Sequence, residues 1–462
     1  MKKPLVHPYI PNSVPTTKEE MLHAVGAESI EDFFAEIPEN LRFKGKLNLP
    51  DPLLSEAELV RHVDGLLNKN RSTREVLSFL GAGCYQHQVP AVCDEINSRG
   101  EFLTAFAGEP YEDHGRFQAL FEYQSLMAEL LNMDVVNVPT YDGFQATATA
   151  LRMAVRITGR KTVLLPANMS ADKFSMVSEY LAPDITIERI AFHPQSGLLD
   201  LNDLDKKLEL AVAAVYFENP TYLGLIETQV ERISAAAHEA GALCVVGVEP
   251  LSLGAINPPI EYGADIACGD IQSLGIHMHF GGGHGGFIAT RDDPIFVMEF
   301  PSRLFGVAPT DVEGEYGFGD VAYERTSFAV REEGKEWVGT AAALWGITAG
   351  VYLALMGPQG MVEIGEGIMQ RCHYAMQKMT ELPGVKLPYG DMPHFTEFVV
   401  DFSETGKITP EINQALLEQD IFGGVDLSGE FPLLGQSAMF CVTEVHTKAD
   451  IDRLASTLKE VL

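Results

Sequence analysis

The sequence predicts an α/β fold with a mainly parallel sheet that is buried on both faces. Short, continuously apolar segments recur between residues 160 and 290, and segments with helical spacing separate several of them. Continuous rather than alternating apolar strands are typical of parallel sheets whose two faces are both covered by helices. The chain has 462 residues, which is enough for a large core and for more than one domain.

The predicted strands of this sheet are short and mainly apolar. They are Thr162–Pro166, Thr186–Phe192, Val212–Phe217, Ala242–Val248, Asp265–Cys268 and Phe287–Thr290. Helices are predicted between several of them, including Ala171–Leu181 and Val230–Ala240. Strands that alternate with helices in this way run parallel, so their carboxyl ends should meet at one edge of the sheet.

Three domains are predicted along the chain. Residues 1–70 read as a helical arm that has too little apolar material for a core of its own, with a capping-box pattern at Thr17–Glu20. Residues 71–335 form the large α/β domain, although 300–335 read as irregular and charged. Residues 336–462 form a small α/β domain.

The small domain shows clear helix signals. A long helix is predicted over Thr340–Met356, followed by a turn at Gly357–Gly360 and a second helix. The final helix is predicted to begin with a capping pair formed by Thr447 and Asp450.

Composition narrows the possible partners and the compartment. Acidic residues outnumber basic ones by 65 to 33, which argues against nucleic acid or an anionic membrane as a partner. No segment reads as a membrane span, and the first residues do not read as a secretory signal. The six cysteines are scattered without a CxxC pair, so we expect buried free thiols in a reducing, cytoplasmic setting.

Polar residues at predicted strand ends indicate a ligand pocket. Asn219 and Thr221 belong to an Asn-Pro turn after one strand, and Glu249 ends the next. Tyr141, Asp142 and Gly143 precede a helix of small residues, Phe144–Ile157, whose N-terminus could seat a phosphate. Taken alone, the pattern is better explained by close helix packing through Gly143, Ala146 and Ala150.

Three histidines surround a glycine-rich run, Gly281–Gly286. His277 and His279 would share one face of a strand, which makes a metal site conceivable. No Asp, Glu or Cys completes such a site locally, so we expect no metal. His277, His279 and His284 are instead predicted to line a polar pocket that faces the substrate or a partner.

The stretch from Cys244 to Thr290 resembles the cofactor-binding centre of pyridoxal-phosphate (PLP) enzymes with the aminotransferase fold, fold type I. In such enzymes an Asn-Pro turn contacts the pyridine ring, an aspartate at the place of Glu249 pairs with the ring nitrogen, and a lysine forms the Schiff base. No lysine lies between Lys207 and Lys335. We therefore expect no catalytic residue in this chain and no PLP bound by it alone. The strand-end and helix-start residues then read as a remnant of a cofactor pocket: Tyr141, Asp142, Gly143, Asn219, Thr221 and Glu249.

The whole chain resembles subunit 1 (alpha) of the two-subunit glycine dehydrogenase (decarboxylating), the P-protein of the glycine cleavage system. The segments that carry this resemblance are Tyr9–Asn12, Glu19–Leu22, Ser29–Pro38, Phe79–Gly83, Phe121–Gln124, Tyr141–Gly143, Pro250–Gly254, Gly269–Gly275, Asp311–Gly314 and Thr443–Glu444. The resemblance implies an oxidoreductase subunit that is catalytically silent. The beta subunit would carry the lysine and PLP in an α2β2 assembly, decarboxylate glycine and pass its aminomethyl group to the lipoyl arm of H-protein.

Two segments depart from the family pattern. Phe106–Gly115 replaces a Tyr-Thr-Pro-Tyr-Gln segment, and Arg331–Gly339 replaces a basic stretch that contains asparagine. Both should face the partner or the substrate, and the residues predicted to do so in and directly after the first segment are Glu109, Tyr111, His114 and Arg116. Two alternatives therefore stay open: a divergent paralogue for another small amino acid or amine, and a non-catalytic scaffolding subunit.

Overall fold

The structure of the protein, a computed structural model, describes residues 6–103, 110–209, 211–321, 326, 331–336, 338–339 and 341–462, with the backbone alone for 110–115 and 331. The chain divides into two compact units, Met1–Asn70 and Arg71–Leu462. Within the described residues, no helix is both long and apolar enough to cross a membrane.

The first unit consists of short helices without a buried core. Its α-helices are α1 (Pro15–Ala24) and α2 (Glu56–Leu67). The predicted capping box at Thr17–Glu20 is wrong, because α1 begins with a proline two residues earlier and Thr17 lies inside the first turn. A capping box forms instead at Ser29 and Asp32, where Asp32 Oδ2 accepts from the Ser29 N–H at 2.9 Å. None of residues 6–70 is buried.

The second unit alternates helices and strands. Its helices are α3 (Ala91–Asn97), α4 (Pro110–Leu131), α5 (Gly143–Thr158), α6 (Ala171–Leu181), α7 (Leu201–Lys207), α8 (Val230–Glu239), α9 (Pro294–Val297), α10 (Ala343–Thr380), α11 (Thr409–Leu417) and α12 (Lys448–Val461). Its strands are β1 (Leu77–Ser78), β2 (Val135–Val136), β3 (Thr162–Pro166), β4 (Thr186–Ile190), β5 (Val212–Asn219), β6 (Leu243–Val248), β7 (Ile266–Asp270), β8 (Gly286–Thr290), β9 (Phe305–Pro309), β10 (Tyr316–Asp320), β11 (Glu397–Asp401), β12 (Ile421–Phe422), β13 (Val425–Asp426) and β14 (Ser437–Cys441).

A seven-stranded, mainly parallel sheet forms the centre of this unit. The strand order is β2-β8-β7-β6-β5-β3-β4. The strands from β7 to β4 in this order run parallel, whereas β8 is antiparallel to β7 and β2 is antiparallel to β8. The carboxyl ends of β5, β6 and β7 therefore lie side by side, as the sequence predicted.

The sheet is apolar on both faces, which explains its continuous apolar strands. In β5, Val215 and Phe217 join the core on one face, while Ala214 and Tyr216 join the core on the other. Successive strand side chains point to opposite faces. A strand that is covered on both sides therefore loses the alternating pattern, and this confirms the basis of the α/β prediction.

The predicted strands of the large sheet all form. The segment Thr162–Pro166 is reproduced as β3, and the ends of the other predicted strands move by no more than two residues. The predicted helices Ala171–Leu181 and Val230–Ala240 correspond to α6 and α8. These predictions are confirmed.

Two regions differ from the prediction. The stretch 300–335 is not wholly irregular, because β9 and β10 pair there as an antiparallel hairpin. Both strands contain glycines and remain largely exposed, so they lack the apolar pattern that marks the central sheet. The altered segment Phe106–Gly115 is partly helical, because α4 begins at Pro110, and residues 106–109 lie outside the described part of the chain.

The C-terminal part adds a three-stranded antiparallel sheet, in the order β11-β14-β13. Helix α10 is interrupted at Gly357, where φ is 59° and ψ is −179°, at the predicted turn. Helix α12 begins with the predicted capping pair: Thr447 Oγ1 accepts from the Asp450 N–H at 3.2 Å, and Asp450 Oδ2 accepts from the Thr447 N–H at 2.8 Å.

Candidate functional site

A cleft of about 130 Å³ opens at the carboxyl ends of β5, β6 and β7, beside the N-terminus of α5. This edge of a doubly covered parallel sheet is where ligands bind in open α/β folds. The polar side chains of the cleft come from several elements: Tyr85, Ser170, Lys173, Glu218, Thr221, Tyr222, Glu249, Asp270, Gln272 and Ser273.

Only some of the predicted pocket residues line this cleft. Gly143, Thr221 and Glu249 do so. Asn219 is 3% exposed, and its Oδ1 accepts from the Glu227 N–H at 3.1 Å, so its amide braces the turn after β5. Tyr141 points elsewhere, because its hydroxyl donates to the Gly339 carbonyl at 2.5 Å.

The N-terminus of α5, predicted as a phosphate seat, is held by the protein's own carboxylates. Asp142 Oδ1 accepts from the Gln145 N–H at 2.8 Å, and Asp270 Oδ2 accepts from the Gly143 N–H at 2.9 Å. A Cβ on Gly143 would lie 2.9 Å from the Asp270 nitrogen, so a glycine is needed for this close approach. The helix N-terminus is therefore capped and carries negative charge.

Glu249 ends β6 and occupies the base of the cleft. Its Oε2 accepts from the Ser252 N–H at 2.9 Å, which caps the 3₁₀ helix Pro250–Gly254. Its Oε1 has no hydrogen-bond partner within the described structure. Burial raises the pKa of this carboxyl, while His87 and Ser273 oppose that effect.

Asp270 ends β7 and lies between α5 and His284. His284, which is 4% exposed, places Nδ1 3.7 Å from Asp270 Oδ1 and donates from Nε2 to the Met278 carbonyl at 3.0 Å. Burial raises the pKa of Asp270 to about 6, with His284 and two backbone N–H donors opposing. His284 thus contacts the Asp270 carboxylate without itself lining the cleft.

Lys173 is a cleft residue that the sequence reasoning missed. It lies on α6, and its Nζ donates to Glu218 Oε1 at 2.6 Å and to the Tyr216 hydroxyl at 2.7 Å. The prediction rested on the lysine-free stretch between Lys207 and Lys335. Helix α6 precedes that stretch in the sequence, and only the folding of the chain brings it to the cleft. Glu218 and Asp270 could have been found, because both stand at strand ends.

A second buried carboxylate lies behind the cleft wall. Glu397, which is 3% exposed, accepts from the Ala82 N–H at 2.6 Å and from the Tyr85 hydroxyl at 3.1 Å. Burial raises its pKa to about 7, and Glu218 and Glu249 add to the shift. The cleft and its surroundings are therefore strongly acidic.

The histidine-rich segment is not a strand, which corrects the sequence prediction for His277 and His279. The chain between β7 and β8 is a loop in which His279 has a φ of 44° and Phe280 a φ of 58°. His277 pairs with Asp94 at 3.0 Å, and the His279 ring lies 5.1 Å from that of Trp345. Across the described residues, no group of three His, Cys, Asp or Glu side chains is arranged to hold a metal ion.

A cysteine next to His284 lacks the features of a nucleophile. Cys84 Sγ lies 4.0 Å from His284 Nε2, but that nitrogen already donates to the Met278 carbonyl. Burial raises the pKa of Cys84 to about 11, whereas nucleophilic thiols have a lowered pKa. All six cysteines are free.

The residues predicted on the altered segment can be placed only in part. Arg116 is 8% exposed on α4. The backbone of Tyr111 and His114 belongs to the first turns of α4, and Glu109 lies outside the described residues. Their role toward a substrate or partner stays a prediction.

The cleft does not suit PLP, the group that the sequence resemblance implies for this fold. A PLP phosphate needs free N–H donors or cations, whereas the α5 N-terminus is taken by Asp142 and Asp270. Lys173 would have to leave Glu218 and Tyr216 before its amine could attack an aldehyde. The lining carboxylates would further repel the phosphate dianion.

Comparison with known proteins agrees with this architecture. The family model described as "Glycine cleavage system P-protein" matches residues 7–458. A probable glycine dehydrogenase (decarboxylating) subunit 1 from Staphylothermus marinus is 38% identical over 465 residues, covering 99% of this chain and 98% of that protein. A counterpart with the same description from Saccharolobus islandicus is 39% identical over 461 residues, with the same coverage.

Solved structures show the same fold. A crystal structure of glycine decarboxylase (P-protein) in inhibitor-bound form aligns with a TM-score of 0.81 and 34% identity, over 99% of this chain and 100% of that chain. A NifS-like protein from Rickettsia africae aligns at 0.63 and 13% identity, over 84% of this chain and 99% of that one, which shows the fold alone. The fold is thus the PLP-dependent transferase type that the sequence predicted, and the chain belongs to the glycine cleavage system P-protein family.

Proposed function

We propose that this chain is the non-catalytic subunit 1 of glycine dehydrogenase (decarboxylating), the P-protein of the glycine cleavage system. The main support for this proposal is the combination of a full-length match to subunit 1 proteins with a cleft that is lined by carboxylates at the cofactor position of the fold. A cleft of this charge is unfavourable for a phosphate ester. The cleft then has a structural role in this chain, and the catalysis takes place on another chain.

The partner is a subunit 2 chain that carries PLP and the Schiff-base lysine, in an α2β2 assembly. That chain would decarboxylate glycine and transfer the aminomethyl group to the lipoyl arm of H-protein, in the cytoplasm. Support for a partner comes from residues 6–70, where none is buried and the α2 side chains Leu59, Val60, Val63, Leu66 and Leu67 are 41–59% exposed. Apolar surface of this extent is typical of segments that dock on another chain.

The proposal predicts that glycine-dependent CO2 exchange requires a subunit 2 chain. Each chain is purified alone and together, supplied with PLP and lipoyl H-protein, and assayed for exchange. We expect exchange only from the pair, at least ~10³-fold above this chain alone, because the Lys173 amine is held by Glu218 and Tyr216 and the lining carboxylates disfavour the PLP phosphate. Borohydride trapping followed by peptide mapping should place the PLP adduct on a lysine of the partner. A stoichiometric adduct on Lys173, or exchange by this chain alone, would overturn the proposal.

A second prediction concerns the acidic segment before and within the start of α4. We expect the native pair to exchange glycine more slowly than a pair in which the family's Tyr-Thr-Pro-Tyr-Gln replaces this segment. The resemblance implies that the segment faces the substrate, and the negative charges of Glu109, Glu112 and Asp113 would then repel a substrate carboxylate. The measurement is the exchange rate at limiting glycine.

The matched control for that swap removes charge alone. If charge is the cause, Glu112→Gln with Asp113→Asn should reproduce most of the increase in exchange rate. If the tyrosine hydroxyl donors matter instead, only the Tyr-Thr-Pro-Tyr-Gln swap should raise the exchange rate. Equal exchange in all three pairs contradicts the prediction and leaves the acidic residues a local role, since the first turn of a helix favours acidic residue types.

A further inference from the structure

The cleft carries more negative than positive charge. Among its described lining residues, the carboxylates are Glu218, Glu249 and Asp270, and the ammonium is that of Lys173. Lys173 and Glu218 pair at 2.6 Å and neutralise each other. Asp270 has His284 behind it at 3.7 Å. The charge of Glu249, on the adjacent strand end, has no lysine or arginine opposite it among these lining residues.

Two polar atoms at this end of the cleft have no hydrogen-bond partner among the described residues. Glu249 accepts from the Ser252 N–H through Oε2, whereas its Oε1 has no partner in that part of the chain. The Ser273 hydroxyl, on a residue that is 3% exposed, also forms no hydrogen bond of ordinary length, although it is close enough to ease the charge on Glu249. Buried polar atoms without partners cost free energy. A ligand that brings N–H donors therefore gains most at this point.

We propose that the cleft binds a small primary alkylammonium ion, held by the Glu249 carboxylate and the Ser273 hydroxyl, with Asp270 supplying further negative charge. An ammonium offers three donors, and its hydrogen bonds to a carboxylate are charge-assisted and short. The apolar side chains of Phe144, Pro220 and Val248 in the lining are suited to the alkyl part.

The geometry also selects against neighbouring ligand classes. A cavity of about 130 Å³ limits the alkyl part to a few carbon atoms. A zwitterionic amino acid is a poorer ligand, because its carboxylate would meet the lining carboxylates. No group of three metal-ligating side chains is present among the described residues, which favours an N–H donor over a divalent cation. The inference concerns this chain's own cleft and does not depend on the proposed subunit role.

The test is isothermal titration of the full chain with methylammonium chloride. We expect a single site per chain with a millimolar dissociation constant. Glu249→Gln keeps the shape of the side chain, removes its charge and should weaken binding by ~10-fold or more. Ser273→Ala should weaken it to a smaller extent. Glu411→Gln, an exposed position on α11, is the matched control and should bind as the unaltered chain does.

Thermal unfolding of each variant, recorded alongside, establishes that it is folded before its binding is interpreted. Potassium and glycine at the same concentrations are the competing ligands, and neither should displace methylammonium at equal concentration. No binding to the folded unaltered chain overturns the site. Unchanged binding by folded Glu249→Gln, or potassium binding as tightly as methylammonium, would overturn the ammonium assignment.

Discussion

Gly224→Ala should abolish stable folding of the second unit. Gly224 has a φ of 82°, and a Cβ at this position would lie 1.9 Å from the backbone oxygen of Glu397 in β11. Its carbonyl also accepts from the Phe395 N–H at 2.9 Å, which ties the turn after β5 to the chain leading into β11. The left-handed backbone costs a side chain roughly 1–2 kcal/mol, and a clash with backbone atoms brings the expected loss above ~4 kcal/mol.

The matched control for this prediction is Gly406→Ala. Gly406 has a similar φ of 80°, but nothing lies within 4 Å of the place where its Cβ would be. We expect a loss of only about 1 kcal/mol there. Urea unfolding followed by circular dichroism measures the loss of stability in both variants. Equal losses would show that the backbone conformation, and not the contact with β11, causes the destabilisation at position 224.

Glu397→Gln should stabilise the protein at pH 8 and leave it nearly unchanged near pH 4. The ordinary carboxyl pKa of 4.5 is raised to about 7 for Glu397 in the folded protein. Between these two pH values the folded chain therefore keeps Glu397 protonated, whereas the unfolded chain does not. The contribution of Glu397 to stability is therefore fully present below about pH 4.5 and is lost as pH rises to about 7. A shift of this size corresponds to roughly 3 kcal/mol.

The measurement is the free energy of unfolding of both proteins between pH 4 and pH 8. Asp270, whose pKa is raised to about 6, adds a slope of the same sign in both proteins, so the difference between them isolates Glu397. Gln retains an oxygen that can accept from the Ala82 N–H. Glu411→Gln serves as the exposed control, and a Glu397→Gln protein that is less stable at pH 8 would contradict the prediction.

The central sheet could be predicted because its signal is local. The strands β3, β5, β6 and β7 are mainly apolar on successive residues, and turn residues mark their boundaries, whereas β4 at the sheet edge carries Glu188 and Arg189. The hairpin β9–β10 was missed because its strands are short, glycine-containing and largely exposed, and so carry neither an alternating nor a continuous apolar pattern. The His277 and His279 prediction failed because the glycine run permits left-handed turns that a strand cannot contain.

The candidate site was predictable at strand ends and at the start of α5, where Gly143 lies. Thr221 and Glu249 follow β5 and β6 directly, so position along the chain indicates position in the fold. Lys173 reaches the cleft from a helix, and Glu397 and Tyr85 meet although 312 residues separate them. Such contacts depend on how the layers pack, which no local pattern records.

The capped N-terminus of α5 has a consequence for attempts to rebuild a PLP enzyme on this chain. A lysine introduced into the cleft would supply a nucleophile, but Asp270 would still hold the Gly143 N–H at 2.9 Å and Asp142 that of Gln145. The lysine alone would then give no activity, and neither would replacement of the two aspartates alone. Only a variant that combines both changes could be active, since each change removes a different obstacle. Stepwise selection that rewards each substitution separately would therefore find no path back, and a library must vary the lysine and the two aspartates together.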